Sequence, residues 1–460
     1  MMTRPAGFRY DRRHRYRRAG RPRQGGLATL VVVMVLFFVI AMVAAYTSRN
    51  MIFEQRASAN LYRSTQAFEA AEAGVQWALS MLNSGRIDDN CQPTNDLTKS
   101  TFRARYIDSI DTTGAITLRT RADGTPLMPA CAFDAATNSW SCLCPSDAAA
   151  AVPAIVGTDP QPMFRIQFQN LGAGGRADSI QIVSAGCTRP DPVCLAANPS
   201  APAGDAMALV TAMVTLRSGL STPPGAAVTA LLNIDGSAGG GPLQAVNVDT
   251  ASVGITFLAG GNILNNVLPV TLPGTPGSLS LAPADPTLAH IVPAGPVANT
   301  ADRMFSLVFG MAPGVYLQQP AVVTVDCTVA CTSAAINALA QLNPGRMLWL
   351  NGDLTVNGDI GTAPVAGGLL ATEVPASGPV VLVVTGQATL GSGTVFGALY
   401  SRSVNWDRGA GNGQVQGALI AEGNLGGNGT QVITYDPAIL TRLRTRYGSF
   451  VRLNGGWKDF

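Results

Sequence analysis

The stretch LATLVVVMVLFFVIAMVAAY, residues 27–46, determines how this chain starts. It contains no charged residue, no glycine and no proline. A helix of about 20 residues spans about 30 Å, which is the thickness of the hydrocarbon core of a bilayer. A helix in a soluble core does not need to be apolar on every face. The sequence therefore predicts a transmembrane helix over residues 27–46.

The charge changes abruptly at this segment. Residues 1–26 contain nine arginines and one aspartate, whereas the rest of the chain has a small excess of acidic residues. The positive-inside rule keeps the basic end in the cytoplasm and sends the following residues outward. A basic arm can also bind nucleic acid. Because an apolar segment follows it directly and the bulk of the chain is acidic, we expect no nucleic-acid partner.

A helical pattern continues beyond the apolar segment. Apolar or small residues recur at alternating spacings of four and three, which places them on one helix face. They are Ala57, Leu61, Ser64, Phe68, Ala71, Val75, Ala78 and Leu82. The following Asn-Ser-Gly, residues 83–85, is a C-terminal stop signal. We predict one helix over residues 27–83, whose last part packs against a folded domain.

A basic leader that ends in glycine and runs directly into an apolar helix resembles a type IV prepilin. The stretch RSTQAFEAAEAG, residues 63–74, is similar to the QAF-x-AEAG signature of the PilX family of minor pilins, which assist type IV pilus assembly. The resemblance covers about residues 20–83. The motif residues are Gln66, Ala67, Phe68, Ala71, Glu72, Ala73 and Gly74.

The resemblance implies that prepilin peptidase cuts between Gly26 and Leu27 and that Leu27 is then N-methylated. Major pilins carry a glutamate at the fifth mature position, and here that position is Val31. In the family this glutamate neutralises the amino terminus of a neighbouring subunit. An unpaired carboxylate in an apolar core is costly. Its absence therefore favours a tip or priming position over one in the filament body.

All eight cysteines follow the apolar segment, and they predict four disulfides in an oxidising periplasm. They are Cys91, Cys131, Cys142, Cys144, Cys187, Cys194, Cys327 and Cys331. The pairs 187–194 and 327–331 are close enough in sequence to form local bridges. A 142–144 bond would be strained. This leaves two pairings open, 91–142 with 131–144 or 91–144 with 131–142, and the Cys-x-Cys spacing is poor for zinc.

The exported part is predicted to be rich in β-strands. Residues 150–340 contain short β segments between turns rich in glycine and proline, such as MFRIQFQ at residues 163–169, and some of these segments alternate. In residues 341–434, GTVFGAL recurs as GQVQGAL 20 residues later. A looser frame joins Leu348, Leu382, Leu399 and Leu419. These spacings predict a β-solenoid, with an ordinary β-sandwich as the alternative.

The sequence thus predicts an α+β fold: a long N-terminal pilin-type helix, transmembrane in its first part, and a β-rich exported region ending in a β-solenoid. Its five parts are the basic leader (1–26), the PilX-like helix (27–83), a β-rich disulfide-containing domain (84–340), solenoid-like repeats (341–434), and a capping helix with a C-terminal tail (435–460). The GGWKDF ending is similar to that of longer PilX-like proteins.

Few residues suggest chemistry. His290 is the one histidine beyond the leader, and common hydrolase, zinc-protease and phosphate-loop motifs are absent from the sequence. We therefore expect no enzyme, no catalytic residue, no metal and no cofactor. The acidic LNGDLTVNGD stretch, residues 350–359, could hold Ca²⁺, but its Asn-Gly and Gly-Asp pairs more often form turns. The aromatic residues Trp349, Tyr400 and Trp406 favour a core or an interface over a glycan-binding face.

These features predict a minor pilin-like subunit for type IV pilus assembly or priming, which supports adhesion or twitching motility. The expected partners are other minor pilins, the assembly machinery, prepilin peptidase, a tip adhesin and the inner membrane. The expected location is the inner membrane with a periplasmic C-terminal region, then the pilus. The alternative is a signal-anchored periplasmic or surface β-solenoid protein outside the pilus, either a polysaccharide-acting enzyme or an adhesin.

Overall fold

The computed structural model describes residues 26–109, 113–155, 161–171, 176–201, 205–236, 242–289, 300–364, 378–406, 413–427 and 432–459. The chain divides into two units, Met1–Tyr62 and Arg63–Phe460. The boundary between the units falls inside the first helix, α1 (Gly26–Leu82). This helix confirms the long N-terminal helix predicted from the sequence.

The second unit also contains short helices. They are α2 (Phe102–Tyr106), α3 (Pro286–Ala289), α4 (Thr300–Phe309), α5 (Pro313–Leu317), α6 (Ser333–Leu342) and α7 (Pro437–Arg446). Single 3₁₀ turns cover Pro192–Leu195 and Gly277–Ser280. Helix α7 lies within residues 435–460, where the sequence predicts a capping helix. It starts there because the Asp436 side chain accepts backbone N–H bonds from Ala438 and Ile439, and proline takes the first helical position.

The strands vary in length from two to 13 residues. They are β1 (Ile107–Ser109), β2 (Ile116–Leu118), β3 (Ala130–Asp134), β4 (Ser139–Leu143), β5 (Met163–Asn170), β6 (Ser179–Cys187), β7 (Met207–Ser218), β8 (Val228–Ala230), β9 (Ile234–Asp235), β10 (Leu243–Val246), β11 (Phe257–Ala259), β12 (Ile263–Leu264), β13 (Val267–Val270), β14 (Leu281–Ala282), β15 (Val322–Thr332), β16 (Met347–Asn357), β17 (Val380–Ser392), β18 (Thr394–Trp406), β19 (Gln414–Ala421), β20 (Leu425–Gly427), β21 (Val432–Tyr435) and β22 (Gly448–Asp459).

Residues 63–218 and 448–459, which we call the head, form an antiparallel sheet covered by the end of α1. Its six strands lie in the order β22-β7-β6-β5-β3-β4. Apolar side chains of α1, including Val75 and Leu82, share a core with strand residues such as Phe164 and Ile180. The C-terminal residues form the edge strand β22, paired with β7. The residues predicted as a C-terminal tail therefore form a strand of the head sheet.

Between β7 and β22 the chain forms a parallel ladder, which we call the solenoid. Its buried side chains stack in three columns, one per face. The columns are Ile360, Val395, Val415, Ile433 and Ala245; Leu348, Leu382, Leu399, Leu419, Val228 and Phe257; and Leu354, Ala388, Val404, Leu425 and Ile234. The predicted leucine frame is in register along the second column, which confirms the solenoid.

The solenoid is larger than its predicted range of 341–434. Val228 pairs with both Leu419 and Phe257, and Phe257 pairs with Leu281. At the other end of the ladder, β15 pairs with β16. The chain thus enters the ladder in the middle at β8, winds to β14, restarts at the opposite end with β15 and winds back to β19. The predicted boundary at residue 340 cuts through this ladder, because its early turns do not repeat in sequence.

The solenoid is an insertion in the head sheet. Ser218, the last residue of β7, is the register partner of Gly448, the first residue of β22. Residues 219–447 therefore leave and re-enter the sheet at one point. This arrangement lets a large solenoid be added without changing the pairing of the head strands.

Candidate functional site

The first part of α1 exposes apolar side chains on every side. From residue 28 to residue 62 each side chain is exposed, and Phe37 and Phe38 are each 71% exposed. The helix is long and apolar enough to cross a membrane, judged by length and composition. A surface of this kind has to be covered by lipid or by other helices. It is the most prominent candidate for an anchoring and assembly surface in the described chain.

The polar residues at the end of this segment are satisfied within the helix. The Thr47 hydroxyl donates to the carbonyl oxygens of Val43 at 2.9 Å and Ala44 at 3.0 Å. The Arg49 guanidinium lies 5.7 Å from the Phe53 ring centroid, a cation–π distance that suits an interfacial position. The apolar segment therefore ends near residue 47, as its composition indicates.

The small residues of the QAF-x-AEAG segment form a tight contact with the head sheet. Ala67 and Ala71 are fully buried, and they face Gly186 on β6. A Cβ atom at Gly186 would lie under 3.0 Å from the Ala67 carbonyl oxygen and from the backbone of Ala71. A Cβ at Gly74 would likewise meet the Phe164 ring at 2.9 Å. The helix and the sheet approach this closely because only glycine and alanine meet at Gly186, and because Gly74 leaves room for the Phe164 ring.

The other motif residues point elsewhere. The Phe68 ring packs edge-on against Trp457 of β22, with ring centroids 6.3 Å apart. Gln66 and Ala73 are half-buried, whereas Glu72 is exposed. The predicted apolar stripe holds from Phe68 onward, but Leu61 is 68% exposed. The packed part of α1 is thus shorter than the stripe suggested, because the head sheet reaches only its last turns.

A buried arginine joins the end of α1 to the solenoid. Arg103 is 2% exposed, and its guanidinium donates to the carbonyl oxygens of Leu82 at 3.0 Å and Gly448 at 2.9 Å. Longer bonds reach Gly345 and Arg446. The carbonyls of Leu82 and Arg446 belong to the last turns of α1 and α7, where a cation is favourable. Burial lowers the pKa of Arg103 to about 10. No sequence signal marked this residue.

Asn83 completes this junction. Its side-chain nitrogen donates to Leu79 O at 2.9 Å and to Phe450 O at 3.0 Å. Its Oδ1 accepts from the Phe450 backbone N–H at 2.8 Å. The residue thus ends α1 and at the same time pairs with the edge strand β22. The predicted stop signal is also a link between the helix and the sheet.

Residues 25–76 match the family model described as PilX N-terminal. The match covers the exposed apolar part of the helix and the whole QAF-x-AEAG motif, residues 66–74. These residues are therefore similar to the N-terminal segment of PilX-type pilins, and we call them the PilX N-terminal segment. Among solved structures, the competence-associated pilin ComZ of Thermus thermophilus aligns over 86% of this chain and 97% of that chain, at 11% identity and with a TM-score of 0.22. That TM-score is too low to carry an inference. No curated protein has a significantly similar sequence.

Two predicted features of the PilX N-terminal segment concern its start. Gly26 and Leu27 are the first two residues of α1, and their side chains lie outside the described part. Cleavage between them and N-methylation of Leu27 remain predictions. Val31, at the position of the pilin glutamate, is 52% exposed among other apolar side chains. This position therefore offers no carboxylate to a neighbouring amino terminus.

Four disulfides hold the region beyond the PilX N-terminal segment. Cys91 pairs with Cys144 and Cys131 with Cys142, which is one of the two pairings that the sequence left open. The latter bridge joins direct register partners of β3 and β4. The local bridges are Cys187–Cys194 and Cys327–Cys331. The last one spans a bulge in β15, the edge strand of the solenoid.

The acidic solenoid stretch makes contacts within the ladder. Oδ1 of Asp353 accepts from the Gln387 backbone N–H, and Oδ1 of Asp359 accepts from that of Thr394, each at 2.7 Å. Asn357 accepts from the Ser333 hydroxyl at 2.8 Å. Within the described ranges, no three His, Cys, Asp or Glu residues are placed to hold a metal ion. These three side chains connect neighbouring turns of the solenoid.

Two of the three aromatic residues singled out in the sequence, Trp349 and Tyr400, lie inside the protein. Trp349 and Tyr400 are buried in a cluster with Phe305 and Phe309 of α4 and Tyr316 of α5. The Tyr400 and Phe305 ring centroids are 5.3 Å apart. This position fits core packing and leaves neither ring available to a glycan. His290 and the side chain of Trp406 lie outside the described residues.

Proposed function

We propose that this chain is a minor pilin-like subunit that acts in type IV pilus assembly or priming, as a structural subunit and not as an enzyme. The observation that carries the proposal is the PilX N-terminal segment, whose apolar helix is exposed on every side. Such a helix first anchors a subunit in the membrane and then packs against neighbouring helices in a filament. The head provides a folded domain on the same chain.

A position near the pilus tip is the finer part of the proposal. Val31 provides no carboxylate for a neighbouring subunit, so the helix lacks the charge pair expected in the filament body. The insertion of residues 219–447 in the head sheet adds bulk that would crowd a filament lattice. Both features fit a subunit present in few copies at one end. A tip position would let the solenoid support adhesion or twitching motility.

The same proposal names partners and location. Prepilin peptidase would process the leader, and other minor pilins and the assembly machinery would contact the helix. A tip adhesin is a further partner for the head. The chain would reside in the inner membrane, with its C-terminal region in the periplasm, before it enters the pilus.

A complementation experiment tests the proposal. The gene is deleted and the cells are complemented with the wild-type chain, with Leu36→Arg in the apolar helix, or with Val329→Arg as a surface control that is 83% exposed. We expect deletion to reduce surface pili, with rescue by the wild type and Val329→Arg but not by Leu36→Arg. A charge at the centre of a membrane helix costs about 2.5–3.5 kcal/mol on insertion scales. Unchanged pilus number and motility after deletion would refute the proposal.

A variant without the solenoid separates assembly from adhesion. Because Ser218 and Gly448 are register partners, a short turn can replace residues 219–447. Loss of pili with this variant would indicate that the solenoid acts in assembly. Intact pili that no longer attach to surfaces would indicate adhesion. Immunoblots of membrane fractions show that the variant is present at the wild-type level.

A further inference from the structure

A cleft of about 530 Å³ lies between the turn that follows α1 and the end of α6. One wall is formed by the head, including Arg86 and Asn95. The other wall is formed by the solenoid side, including Asn343 and Arg346. Both walls belong to the second unit. The cleft is large enough for a few residues of an extended peptide.

Two guanidinium groups line this cleft. The buried Arg86 donates to the carbonyl oxygens of Gln341 and Lys99, each at 2.5 Å. Arg346 donates to Asn343 Oδ1 at 2.8 Å and to the Pro320 carbonyl oxygen at 3.4 Å. Its Nε has no hydrogen-bond partner within the described residues. The partners of Arg346 are thus neutral oxygens that leave its positive charge uncompensated.

The electrostatics of the surroundings favour an incoming anion. Burial lowers the pKa of both Arg86 and Arg346, because a cation is poorly solvated there. The charge of Arg346 also lowers the pKa of Arg103 behind the wall. The carboxylate that acts on Arg86 is Asp96, which is exposed and does not line the cleft. A bound carboxylate would relieve this cation repulsion.

The rest of the lining suits a polypeptide better than a glycan. Amide and hydroxyl groups of Asn95, Thr94 and Ser84 can pair with peptide N–H and C=O groups, and Ile87 and Leu342 add apolar surface. Sugar rings are commonly held on aromatic faces, and the described lining residues include no aromatic side chain. The chemistry therefore favours an acidic peptide over an anionic polysaccharide.

We propose that this cleft binds an acidic peptide segment of a partner protein, with Arg346 receiving a carboxylate and the buried Arg86 adding positive charge to the wall. The proposal does not depend on a role in pilus assembly. Charge-assisted hydrogen bonds contribute roughly 1.5–3 kcal/mol each, so loss of one should weaken binding roughly ten- to hundredfold.

Fluorescence anisotropy with the full-length chain in nonionic detergent tests this site. The probe is a labelled hexapeptide of alternating alanine and glutamate, and its glutamine counterpart is the matched peptide control. The variants are Arg346→Gln and Asn95→Asp, which brings a negative charge to the rim of the cleft at an exposed residue. Asn90→Asp makes the same charge change at an exposed residue outside the lining. Near-UV circular dichroism checks that each variant is folded.

The account predicts saturable binding of the glutamate peptide that weakens at higher salt, about tenfold or more weaker binding with Asn95→Asp and Arg346→Gln, and wild-type affinity with Asn90→Asp. If Arg346→Gln does not fold, the comparison of Asn95→Asp with Asn90→Asp still tests the proposal. Absence of saturable binding, or equal affinity of both aspartate variants, would overturn the proposal. Binding of inorganic phosphate without any binding of the peptide would overturn the proposal as well. Preferential binding of polygalacturonate over the peptide would have the same consequence.

Discussion

Gly186→Ala probes the contact between the PilX N-terminal segment and the head. The new Cβ would lie under 3.0 Å from the Ala67 carbonyl oxygen and the Ala71 backbone. Carbon contacts normally lie near 3.5 Å or beyond, so the helix has to move back by roughly 1 Å. Backbone atoms cannot rotate away as a side chain can. Overpacking typically costs 1–3 kcal/mol, and we expect about 3 kcal/mol here.

Gly74→Ala gives a graded comparison on the opposite side of this contact. Its Cβ would meet the Ser184 hydroxyl and the Phe164 ring, which are side chains that can adjust. The Ser184 hydroxyl has no hydrogen-bond partner in the described part of the chain, so its rotation breaks no bond. Alanine also favours a helix by about 1 kcal/mol over glycine. We therefore expect a net loss of about 1 kcal/mol or less.

Denaturant unfolding of the full-length chain in nonionic detergent measures both effects. Trp77 lies on the packed face of α1, with its ring 5.5 Å from Phe164, so its fluorescence follows the head. Gly225→Ala is the control, because a Cβ there meets nothing within 4 Å. A Gly186→Ala midpoint equal to the wild type, or a loss as large for Gly225→Ala, would refute the argument that the close approach requires glycine.

Three further predictions concern stability. Replacing both cysteines of the Cys91–Cys144 bridge by serine should cost about 4 kcal/mol in denaturant unfolding, since the bridge closes a loop with a sequence separation of 53; an unchanged midpoint would contradict this. Arg103→Lys should cost at least about 2 kcal/mol in the same assay, because one ammonium cannot serve the carbonyls that the guanidinium joins; wild-type stability would show that these bonds are dispensable. Burial raises the pKa of Glu422, so its protonated form is favoured in the fold and stability falls as pH rises through the interval between the unfolded and folded pKa values. Glu422→Gln should therefore increase the free energy of unfolding at pH 7, by less than about 1 kcal/mol because the carboxyl group is partly exposed. This gain should disappear below pH 4, and an equal effect at both pH values would contradict the assignment.

Local patterns in the sequence predicted much of the fold. The apolar run, the helical spacing up to Leu82 and the leucine frame of the late solenoid turns depend on neighbours in sequence or on a short repeat. The early solenoid turns could not be predicted in this way. Val228 lies beside Leu419 through pairing between distant parts of the chain. Neither residue carries a signal of that pairing.

Only part of the candidate site could be predicted, because a local pattern marks one segment and not the distant residues that contact it. The motif marked the small residues of α1, but their partner Gly186 lies in a different strand without any recognisable pattern. Arg103 and Arg346 read as ordinary surface arginines in the sequence. Arg103 is buried because α1, α7 and the turn before β16 meet there and leave carbonyl groups that need donors. Arg346 is half-buried in the wall of the cleft.

Mass spectrometry of the N-terminus of the membrane-extracted protein tests the central claim most directly. The protein is prepared from cells with and without prepilin peptidase. The account predicts a chain that starts at N-methylated Leu27 when the peptidase is present, and an uncleaved leader when it is absent. A start near Thr47, or an intact Met1 or Met2 in both preparations, would contradict a pilin pathway.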